Sequence, residues 1–390
     1  MSAAVTYLNA RVVGSAADSV RVARGRVAAL GARPQRGDAV VDLAGAFVFP
    51  GLINAHDHLQ LNNFPRLKWR ERYDNAREWI ADFQPRFATD PQLLGPLALP
   101  LPARLWQGGL KNLLSGVTTV AHHDPAHYTL QRSDFPVRVV SRMRYSHSLG
   151  VDGAAAVAAA YRRTPRGWPW IIHAAEGTDP AAAAEFERLA ALGCLGANTR
   201  LVHGVGLGAA ARAELAARGA GLIWCPASND FMLGATAQVA ELAAQGRVAL
   251  GSDSRLSGAA DLLAELRCAA ATGQVDAATL LRLVTTDAAN LLRLPTAGRL
   301  TVGAPADLLV LPPLAASPEA TLLAATRADV RLVLVGGQPR YGDLPEAFAA
   351  HREPAVRVRV DGQPKLLAAA LARRLTQLAV VEPGVTLDGA

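Results

Sequence analysis

The chain has 390 residues, 51% of them hydrophobic and 19% charged, with a formal net charge of +7. A chain of this length buries a large core, and its composition is that of a soluble globular protein. No apolar stretch is long enough to span a bilayer, and the first residues lack the pattern of a signal peptide. We therefore expect no membrane association.

The positive charge raises the question of nucleic-acid binding, but its distribution argues against it. Lysine occurs only three times, and the remaining positive charge is scattered arginine without a basic run. The three cysteines, Cys194, Cys225 and Cys268, are odd in number and far apart. This spacing argues against a disulfide framework and indicates a reducing compartment. We predict a cytoplasmic protein that binds no nucleic acid.

Residues 1–48 contain short runs of β-branched residues separated by Gly, Asn and Asp turns, which predicts antiparallel strands. From 49 to 295, apolar strands alternate with alanine-rich helical segments, which predicts a parallel sheet. The strand candidates of this part are the segment before His56 and residues 117–121, 137–140, 170–173, 201–203, 221–225 and 248–251. A closed (β/α)8 barrel needs an eighth strand, and Met143 to Leu149 is the candidate.

Strand patterning returns at 296–345, and we expect these residues to pair with 1–48 as one small β-domain beside a barrel of residues 49–295. Residues 346–390 form a C-terminal extension. Within it, Lys365 to Leu378 has the periodicity of an amphipathic helix that packs on the barrel or on a partner chain.

A Pro-Gly break at residues 50–51 leads into a short strand that ends in His56-Asp57-His58. Side chains alternate along a strand, so His56 and His58 face the same way and Asp57 faces the other. Two imidazoles on one face of a strand end can hold a Zn²⁺-like ion. In isolation, the pair is equally well explained by one histidine that caps the strand and one that packs. Later strand ends favour the metal because they supply further ligands.

Further polar residues stand at or just past the C-terminal ends of strand candidates, where barrel enzymes carry their chemistry. They are His173, Glu176, His203 and Asp253. A metal-dependent hydrolase needs neutral imidazole ligands, a general base and an open coordination position for water. The candidate ligands are His56, His58, His173 and Asp253. Glu176 can move protons, and His203 can hold the water or the developing oxyanion.

These residues lie in motifs that resemble the amidohydrolase superfamily over most of the chain. The motifs are Pro50–His58, His173–Glu176, Leu201–Gly204, Cys225–Asn229, Gly251–Ser254 and Gly303–Leu308. The chain is most similar to the branch of aminohydrolases and chlorohydrolases that act on N-heterocycles. The resemblance implies an α/β fold: a distorted (β/α)8 TIM barrel with a composite β-sandwich domain built from both chain ends, 1–48 and 296–345. It also implies His56, His58, His173 and Asp253 as metal ligands, and Glu176, His203 and Asp253 as catalytic residues.

The residues bear on the metal count as well. Two-metal relatives bridge their ions with a carboxylated lysine, a glutamate or a cysteine around the fourth strand. No lysine, glutamate or cysteine occurs between residues 112 and 175, which leaves Asp124 and Asp134 as substitutes. We therefore predict a single divalent ion, Zn²⁺ first, with Fe²⁺ or Mn²⁺ as alternatives.

Candidate substrate contacts give weaker signals. Gln60 lies two residues past His58, where a pocket amide can bind a ring edge. Trp69 belongs to a segment, 62–79, that we expect to cover the mouth, and it fits either the core or substrate stacking. Asn229 ends one of the motifs and completes this group.

Several other histidines have open roles. His122, His123 and His127 offer a second ligand set, a substrate contact or plain loop polarity. His147 reaches the mouth if the missing strand ends there. We count His123 and His147 among the predicted substrate-binding residues.

The leading functional hypothesis is hydrolytic deamination of an amino-substituted N-heterocycle by a metal-activated water. In it, Asp253 and His203 orient the hydroxide, while Glu176 protonates a ring nitrogen and helps transfer a proton to the departing amine. The first alternative is hydrolytic opening of a cyclic amide or imidazolone ring by the same residues. The second is a non-catalytic scaffold, against which the intact ligand set argues. We expect a small-molecule substrate, and the sequence leaves a homo-oligomer open.

Overall fold

The computed structural model describes residues 4–387. The chain begins with short strands, continues with alternating strands and helices, and ends with strands again, which confirms the predicted α/β class. Twenty strands are present in this part: β1 Val5–Leu8, β2 Arg11–Val12, β3 Val20–Ala23, β4 Arg26–Leu30, β5 Ala39–Asp42, β6 Phe47–Pro50, β7 Leu52–Asp57, β8 Val117–His122, β9 Arg138–Val139, β10 Arg144–Ser148, β11 Trp170–Ala174, β12 Thr199–His203, β13 Gly221–Trp224, β14 Val248–Leu250, β15 Leu308–Leu311, β16 Leu332–Val335, β17 Gln338–Gly342, β18 Ala355–Val360, β19 Gln363–Ala368 and β20 Val385–Leu387.

The helices fall mainly between the middle strands. Those of the described residues are α1 Ala76–Phe83, α2 Pro91–Ala98, α3 Leu101–Leu114, α4 Leu149–Asp152, α5 Ala154–Arg163, α6 Pro180–Ala183, α7 Glu185–Ala191, α8 Ala209–Ala217, α9 Pro226–Leu233, α10 Ala240–Ala244, α11 Leu262–Ala271, α12 Ala277–Leu283, α13 Thr286–Leu291, α14 Pro318–Ala324, α15 Pro345–Ala350 and α16 Ala369–Gln377. Short 3-10 turns occupy Leu59–Leu61, Gln84–Ala88 and Tyr128–Gln131. Asn75, Asp179, Asp261 and Asp276 each accept a backbone N–H from the first turn of the following helix, which fixes where these helices begin.

Eight strands of the middle part run parallel in two sheets, ordered β7-β8-β9 and β10-β11-β12-β13-β14. The candidate Met143 to Leu149 contains β10, so the eighth strand lies where the sequence suggested. The two sheets meet at β7 and β14, where the backbone N–H of Asp253 donates to the carbonyl of His56 at 3.1 Å. The carboxyl ends of these strands consequently share one face of the molecule.

The two chain ends pair in an eight-stranded sheet of order β2-β6-β15-β16-β17-β19-β18-β20. Its central contact is antiparallel, with Phe47–Pro50 of β6 aligned on Leu308–Leu311 of β15. The remaining N-terminal strands form a separate four-stranded sheet, β4-β3-β1-β5. Strands of both sheets carry either alternating or fully buried apolar side chains. This pattern is expected of sheets that pack one or both faces on the core.

The C-terminal segment differs from its prediction in two respects. The amphipathic helix begins at Ala369 rather than Lys365, because Gln363–Ala368 forms β19. This strand pairs with β17 and β18, so the residues after 345 continue the sheet instead of forming a separate extension. Lys365 helps to hold this strand: its buried ammonium donates to the carbonyl of Val330 at 2.8 Å and to Asp343 Oδ2 at 2.7 Å.

The main apolar core links the helices and sheets of both parts, and a smaller cluster fills the space between the middle strands. That smaller cluster includes Ile53, Ile171, Val202, Ile223 and Ala249, each on a different strand of the two parallel sheets. Within residues 4–387, no helix is both long and apolar enough to cross a membrane.

Candidate metal centre and active site

Four histidines and an aspartate from separate strand ends converge on one point. His56 and His58 come from β7, His173 from β11, and His203 from β12, while Asp253 follows β14. The Nε2 atom of His173 lies 3.2 Å from that of His56 and 3.3 Å from that of His58. Asp253 Oδ1 lies 3.8 Å from both of these other Nε2 atoms. The geometry therefore brings all the predicted ligands together.

The donor atoms of this cluster suit a cation. Two nitrogens that each lie about 2.1 Å from a tetrahedral Zn²⁺ are about 3.4 Å apart, close to the separations between these rings. His173 Nδ1 donates to the carbonyl of His147 at 2.8 Å, so its Nε2 carries a lone pair in the neutral ring. Burial lowers the pKa of both His56 and His173 well below the usual range, which keeps them neutral. Converging lone pairs repel one another unless a positive charge lies between them.

His58 confirms that the pocket favours positive charge. Its Nδ1 lies 2.5 Å from Asp124 Oδ2. Burial alone would lower the pKa of His58, yet the Asp124 carboxylate, helped by Asp253, raises it to about 9. A carboxylate behind a ligating imidazole also fixes the ring orientation and strengthens the opposite nitrogen as a ligand. Asp124 thus lies behind the His58 ring, on the side away from the cluster, and Asp134 is engaged with Arg132.

Asp253 is held from the side opposite the histidines. Its Oδ2 accepts hydrogen bonds from Ser228 Oγ at 2.8 Å and Ser257 Oγ at 2.9 Å, which leaves Oδ1 facing the cluster. The backbone of Asp253 and that of His203 are left-handed, with φ of 51° and 72°. Non-glycine residues adopt this conformation at a cost, and such strain concentrates at functional sites.

Glu176 and His203 lie side by side at the edge of the site. Glu176 Oε1 lies 3.4 Å from His203 Nε2, and burial raises the pKa of Glu176 to about 7. A carboxyl group with this pKa can both donate and accept a proton near neutral pH. On the other side of the ring, His203 Nδ1 donates to Asn229 Oδ1 at 2.7 Å, while Asn229 Nδ2 donates to Thr236 Oγ1 at 3.2 Å. Asn229 therefore orients His203, and it is buried behind that ring rather than exposed to a ligand.

A cavity of about 140 Å³ opens beside the cluster. Its polar side carries His58, His173, Glu176, His203 and Asp253, and its apolar side carries Leu61, Trp79, Ile80, Met232 and Leu256. His147 lines the same cavity, in agreement with its prediction as a mouth residue.

Three predicted substrate contacts lie elsewhere. Trp69 packs on Phe83 and under Arg86, so it supports the covering segment from behind. Gln60 does not line the cavity; its side chain lies near Asp124 and helps to lower the pKa of that carboxyl group. His123 is 1% exposed and has protein partners on both ring nitrogens. These residues meet neighbouring side chains because the strand ends are more crowded than spacing alone indicates.

The second ligand set considered for His122, His123 and His127 is wrong. His122 Nδ1 accepts from the Leu59 N–H at 3.3 Å, and His127 Nδ1 accepts from the Thr129 N–H at 3.2 Å. Among residues 4–387, the clusters that can hold an ion are built only from residues of the site described above.

Cys225 is a buried thiol, and burial raises its pKa well above the usual range. This environment disfavours the thiolate that a cysteine nucleophile requires.

A buried ion pair beneath the two β7 histidines was not predicted. Lys111 of α3 and Asp57 are both fully buried, with Lys111 Nζ 3.2 Å from Asp57 Oδ2. The ammonium also donates to Asn62 Oδ1 at 2.8 Å, to Ser252 Oγ at 3.0 Å and to the carbonyl of Asp253 at 3.1 Å. It thereby joins the strand end of β7 to the turn after β14. The sequence feature that could have indicated this ion pair is a single lysine in a largely apolar helix, in a chain whose other basic residues are nearly all arginine.

Residues 139–341 match the sequence profile of the amidohydrolase family. Curated relatives include the 5-methylthioadenosine/S-adenosylhomocysteine deaminase of Nitratidesulfovibrio vulgaris, which is 25% identical over 83% of this chain and 87% of the relative. The enzyme of the same name from Halobacterium salinarum is 28% identical over 85% of this chain and 90% of the relative.

Solved structures share the fold across nearly the whole chain. An adenosine deaminase from Xanthomonas campestris with bound zinc superposes with a TM-score of 0.71 at 19% identity, covering 97% of this chain and 98% of that one. An atrazine chlorohydrolase from Arthrobacter aurescens, complexed with zinc, gives 0.69 at 18% identity over 89% and 99% of the two chains. The likeness extends through both the parallel strands and the paired chain ends.

Proposed function

The chain belongs to the amidohydrolase family, and from that premise we propose that it hydrolytically deaminates an amino-substituted N-heterocycle. The observation that carries this proposal is the position of Glu176: its carboxyl group lines the same cavity as the histidine cluster and lies beside His203 Nε2. The relatives and the superposing adenosine deaminase, all named as deaminases, support the same reaction.

We assign the metal ligands as His56, His58, His173 and Asp253, holding one divalent ion. Zinc is the first candidate because two superposing enzymes carry it. When bound, such an ion makes a water molecule acidic enough to act as a nucleophile near neutral pH. Residues 112–175 contain no lysine, glutamate or cysteine that could bridge two ions, which favours a single ion.

The residues around the cavity divide the proton transfers between them. Glu176, with its pKa near 7, delivers a proton to the ring nitrogen next to the reacting carbon. Asp253 and His203 orient the attacking water through Oδ1 and Nε2. The water oxygen then bonds to the ring carbon while the water gives one proton to the Glu176 carboxylate. Glu176 passes this proton to the exocyclic nitrogen, the carbon–nitrogen bond breaks as ammonia leaves, and the remaining hydroxyl proton returns to Glu176 as the carbonyl forms. The apolar wall around Trp79 and Leu256 keeps other water away from the ring.

We further propose that the eight parallel strands form the distorted (β/α)8 barrel of this family, and that the sheets of the two chain ends form a composite β-sandwich beside it. Support comes from the side-by-side order of the strands within each sheet and from the meeting of β7 and β14. The sandwich includes strands up to Leu387, beyond the boundary at 345 that the sequence suggested.

The test is a metal-replete screen that separates deamination from ring opening. The protein is purified without added metal, loaded with Zn²⁺ or Mn²⁺, and counted for metal by elemental analysis, with close to one equivalent expected. Amino-heterocycles and cyclic amides are then assayed for ammonia release and mass change. Ammonia release supports deamination. Addition of water without ammonia release assigns the protein to ring opening instead, and two ions that are both needed for activity contradict the single-metal assignment.

A further inference from the structure

The Nδ1 atom of His56, on the far side of the ring from the cavity, faces another histidine. It lies 3.2 Å from Nδ1 of His123, which follows β8. Metal-ligating histidines ordinarily donate this back N–H to a carboxylate, a carbonyl or water. A second imidazole in this position is ambiguous, because either ring can be the donor.

The second nitrogen of His123 removes the ambiguity. His123 Nε2 lies 2.9 Å from the carbonyl oxygen of Ser146 in β10. A carbonyl oxygen only accepts, so Nε2 of His123 carries a hydrogen and Nδ1 of the neutral ring carries a lone pair. His56 must then donate from Nδ1, which leaves the lone pair of its Nε2 directed at the metal position.

His123 also fixes the orientation of a second ligand. Its ring stacks on that of His173 with centroids 4.3 Å apart and planes 2° from parallel, while it meets the His56 ring nearly at right angles. The edge of Tyr145 packs against it from outside. One buried ring thus contacts two of the assigned ligands, through a hydrogen bond to His56 and through stacking on His173.

We propose that His123 is a positioning residue that sets the tautomer of His56, through a hydrogen-bond chain from the Ser146 carbonyl to the metal position. The inference rests on the metal site proposed above. It assigns β8 and β10, which lie in different sheets, a role in metal affinity, although neither strand supplies a ligand.

The first test compares Zn²⁺ affinity, measured by competition with a chromophoric chelator. His123→Phe keeps a ring that stacks on His173 but removes the acceptor, and loss of such an outer partner typically lowers metal affinity about 10–100-fold. His123→Asn retains an oxygen near the position of Nδ1 and is expected to bind Zn²⁺ close to the wild-type value. Tyr145→Phe touches the same ring without touching its nitrogens, so it serves as the matched control with unchanged affinity. Wild-type affinity in His123→Phe overturns the proposal.

The second test needs no variant, so it holds even if His123→Phe does not fold. Nitrogen-15 shifts of the imidazole rings in the wild-type protein loaded with Zn²⁺ report which nitrogen bears a hydrogen. We expect His56 protonated at Nδ1, and His123 protonated at Nε2 only. A hydrogen on Nδ1 of His123 overturns the inference, whereas failure of the wild-type protein to bind Zn²⁺ at all overturns the metal site itself.

Discussion

Two regions border the reaction cavity, and they are held in place by different means. The first, which we call the floor, consists of His56, His58, His173, His203 and Asp253. The second, which we call the rim loop, consists of residues 254–258, of which Ser254, Leu256 and Ser257 line the cavity. The floor residues lie at or just past strand ends, and their side-chain partners include Asp124 after β8 and Ser228 and Asn229 of α9. The rim loop depends on residues near the far end of the chain.

The anchor of the rim loop is Glu382, which lies between α16 and β20. Arg255 donates to both of its carboxylate oxygens, at 2.6 and 2.9 Å, across 127 positions of sequence. Arg327 donates to Glu382 Oε1 at 2.7 Å and is itself held by Asp361. The Glu382 side chain is 1% exposed, so this ion network is screened from solvent. The comparison teaches that the chemical groups are fixed by the middle strands, whereas the rim loop is tied to the far end of the chain. The hydrogen bond from Ser257 Oγ to Asp253 Oδ2 is a direct link between the two regions.

The largest expected effect isolates proton transfer by Glu176, which lies beside His203 of the floor. Glu176→Gln keeps the shape and hydrogen bonding of the side chain but cannot exchange a proton, so kcat should fall about 10²–10⁴-fold while metal content stays unchanged. His173→Ala should instead lose metal, because a ligand is gone. Glu187→Gln, on the exposed side of α7, is the matched control. Metal content and kcat are measured on the same preparations, and near-normal turnover in Glu176→Gln would refute the mechanism.

The next-largest expected effect is on stability and concerns the buried ion pair of Lys111 and Asp57 beneath the floor. Lys111→Met leaves the fully buried Asp57 carboxylate without its cation, and breaking a buried ion pair on one side typically costs about 3–5 kcal/mol. Urea denaturation of the metal-free protein measures this loss. The double variant Asp57→Asn/Lys111→Met removes both charges and should recover much of the stability. Equal loss in the single and double variants would mean that packing, and not charge, makes Lys111 necessary.

These contacts show how far sequence reasoning reaches. His56, His173, His203 and Asp253 were predictable because each directly follows a short apolar run, and parallel strands bring their carboxyl ends to one edge. Lys111 was not, because a helix residue that turns under the floor leaves no spacing pattern with Asp57. Likewise, the first residues of the predicted C-terminal helix belong to β19. A short apolar run is compatible with both the helical and the strand periodicity, and only its pairing partner in the fold decides between them.

A smaller expected effect concerns Glu265, a buried carboxyl group beneath the rim loop, and its influence on stability at different pH values. Glu265 of α11 accepts the N–H of Ala227 at 2.8 Å and that of Ala259, just past the rim loop, at 3.3 Å. Burial raises its pKa from the ordinary 4.5 to about 8. Between these values the folded protein keeps a proton that the unfolded chain has lost, so Glu265 makes the free energy of unfolding fall as pH rises from 4.5 to 8.

The effect of Glu265 is measured by comparing, in the wild type and a variant, the slope of the free energy of unfolding against pH. One group contributes at most about 1.4 kcal/mol per pH unit, and Glu265→Gln removes that contribution while leaving those of other groups in place. Urea denaturation between pH 5.5 and 8 should therefore give a flatter profile for the variant than for the wild type. Coincident slopes would show that Glu265 is ionised in the folded protein across this range, with its two N–H donors outweighing burial.

The smallest effect separates the rim loop from the floor. Glu382→Gln leaves Arg255 facing a neutral partner, and a hydrogen bond to a charged group contributes about 1.5–3 kcal/mol. Only part of this loss reaches the cavity, so we expect KM to rise by up to about tenfold, equivalent to about 1.4 kcal/mol. The value of kcat should change less, because Glu176 and His203 follow other strands.

The matched control for Glu382 is Glu346→Gln, an exposed glutamate of the same C-terminal part that lies outside the ion network. Hydrogen exchange supplies a second readout, since amides of residues 254–258 should exchange faster in Glu382→Gln while those of β7 and β11 stay protected. A fall in kcat at constant KM would place Asp253, and hence the floor, under the control of the tail. The separation of chemistry from access would then fail, because the turn from Asp253 to Arg255 would act as one rigid unit.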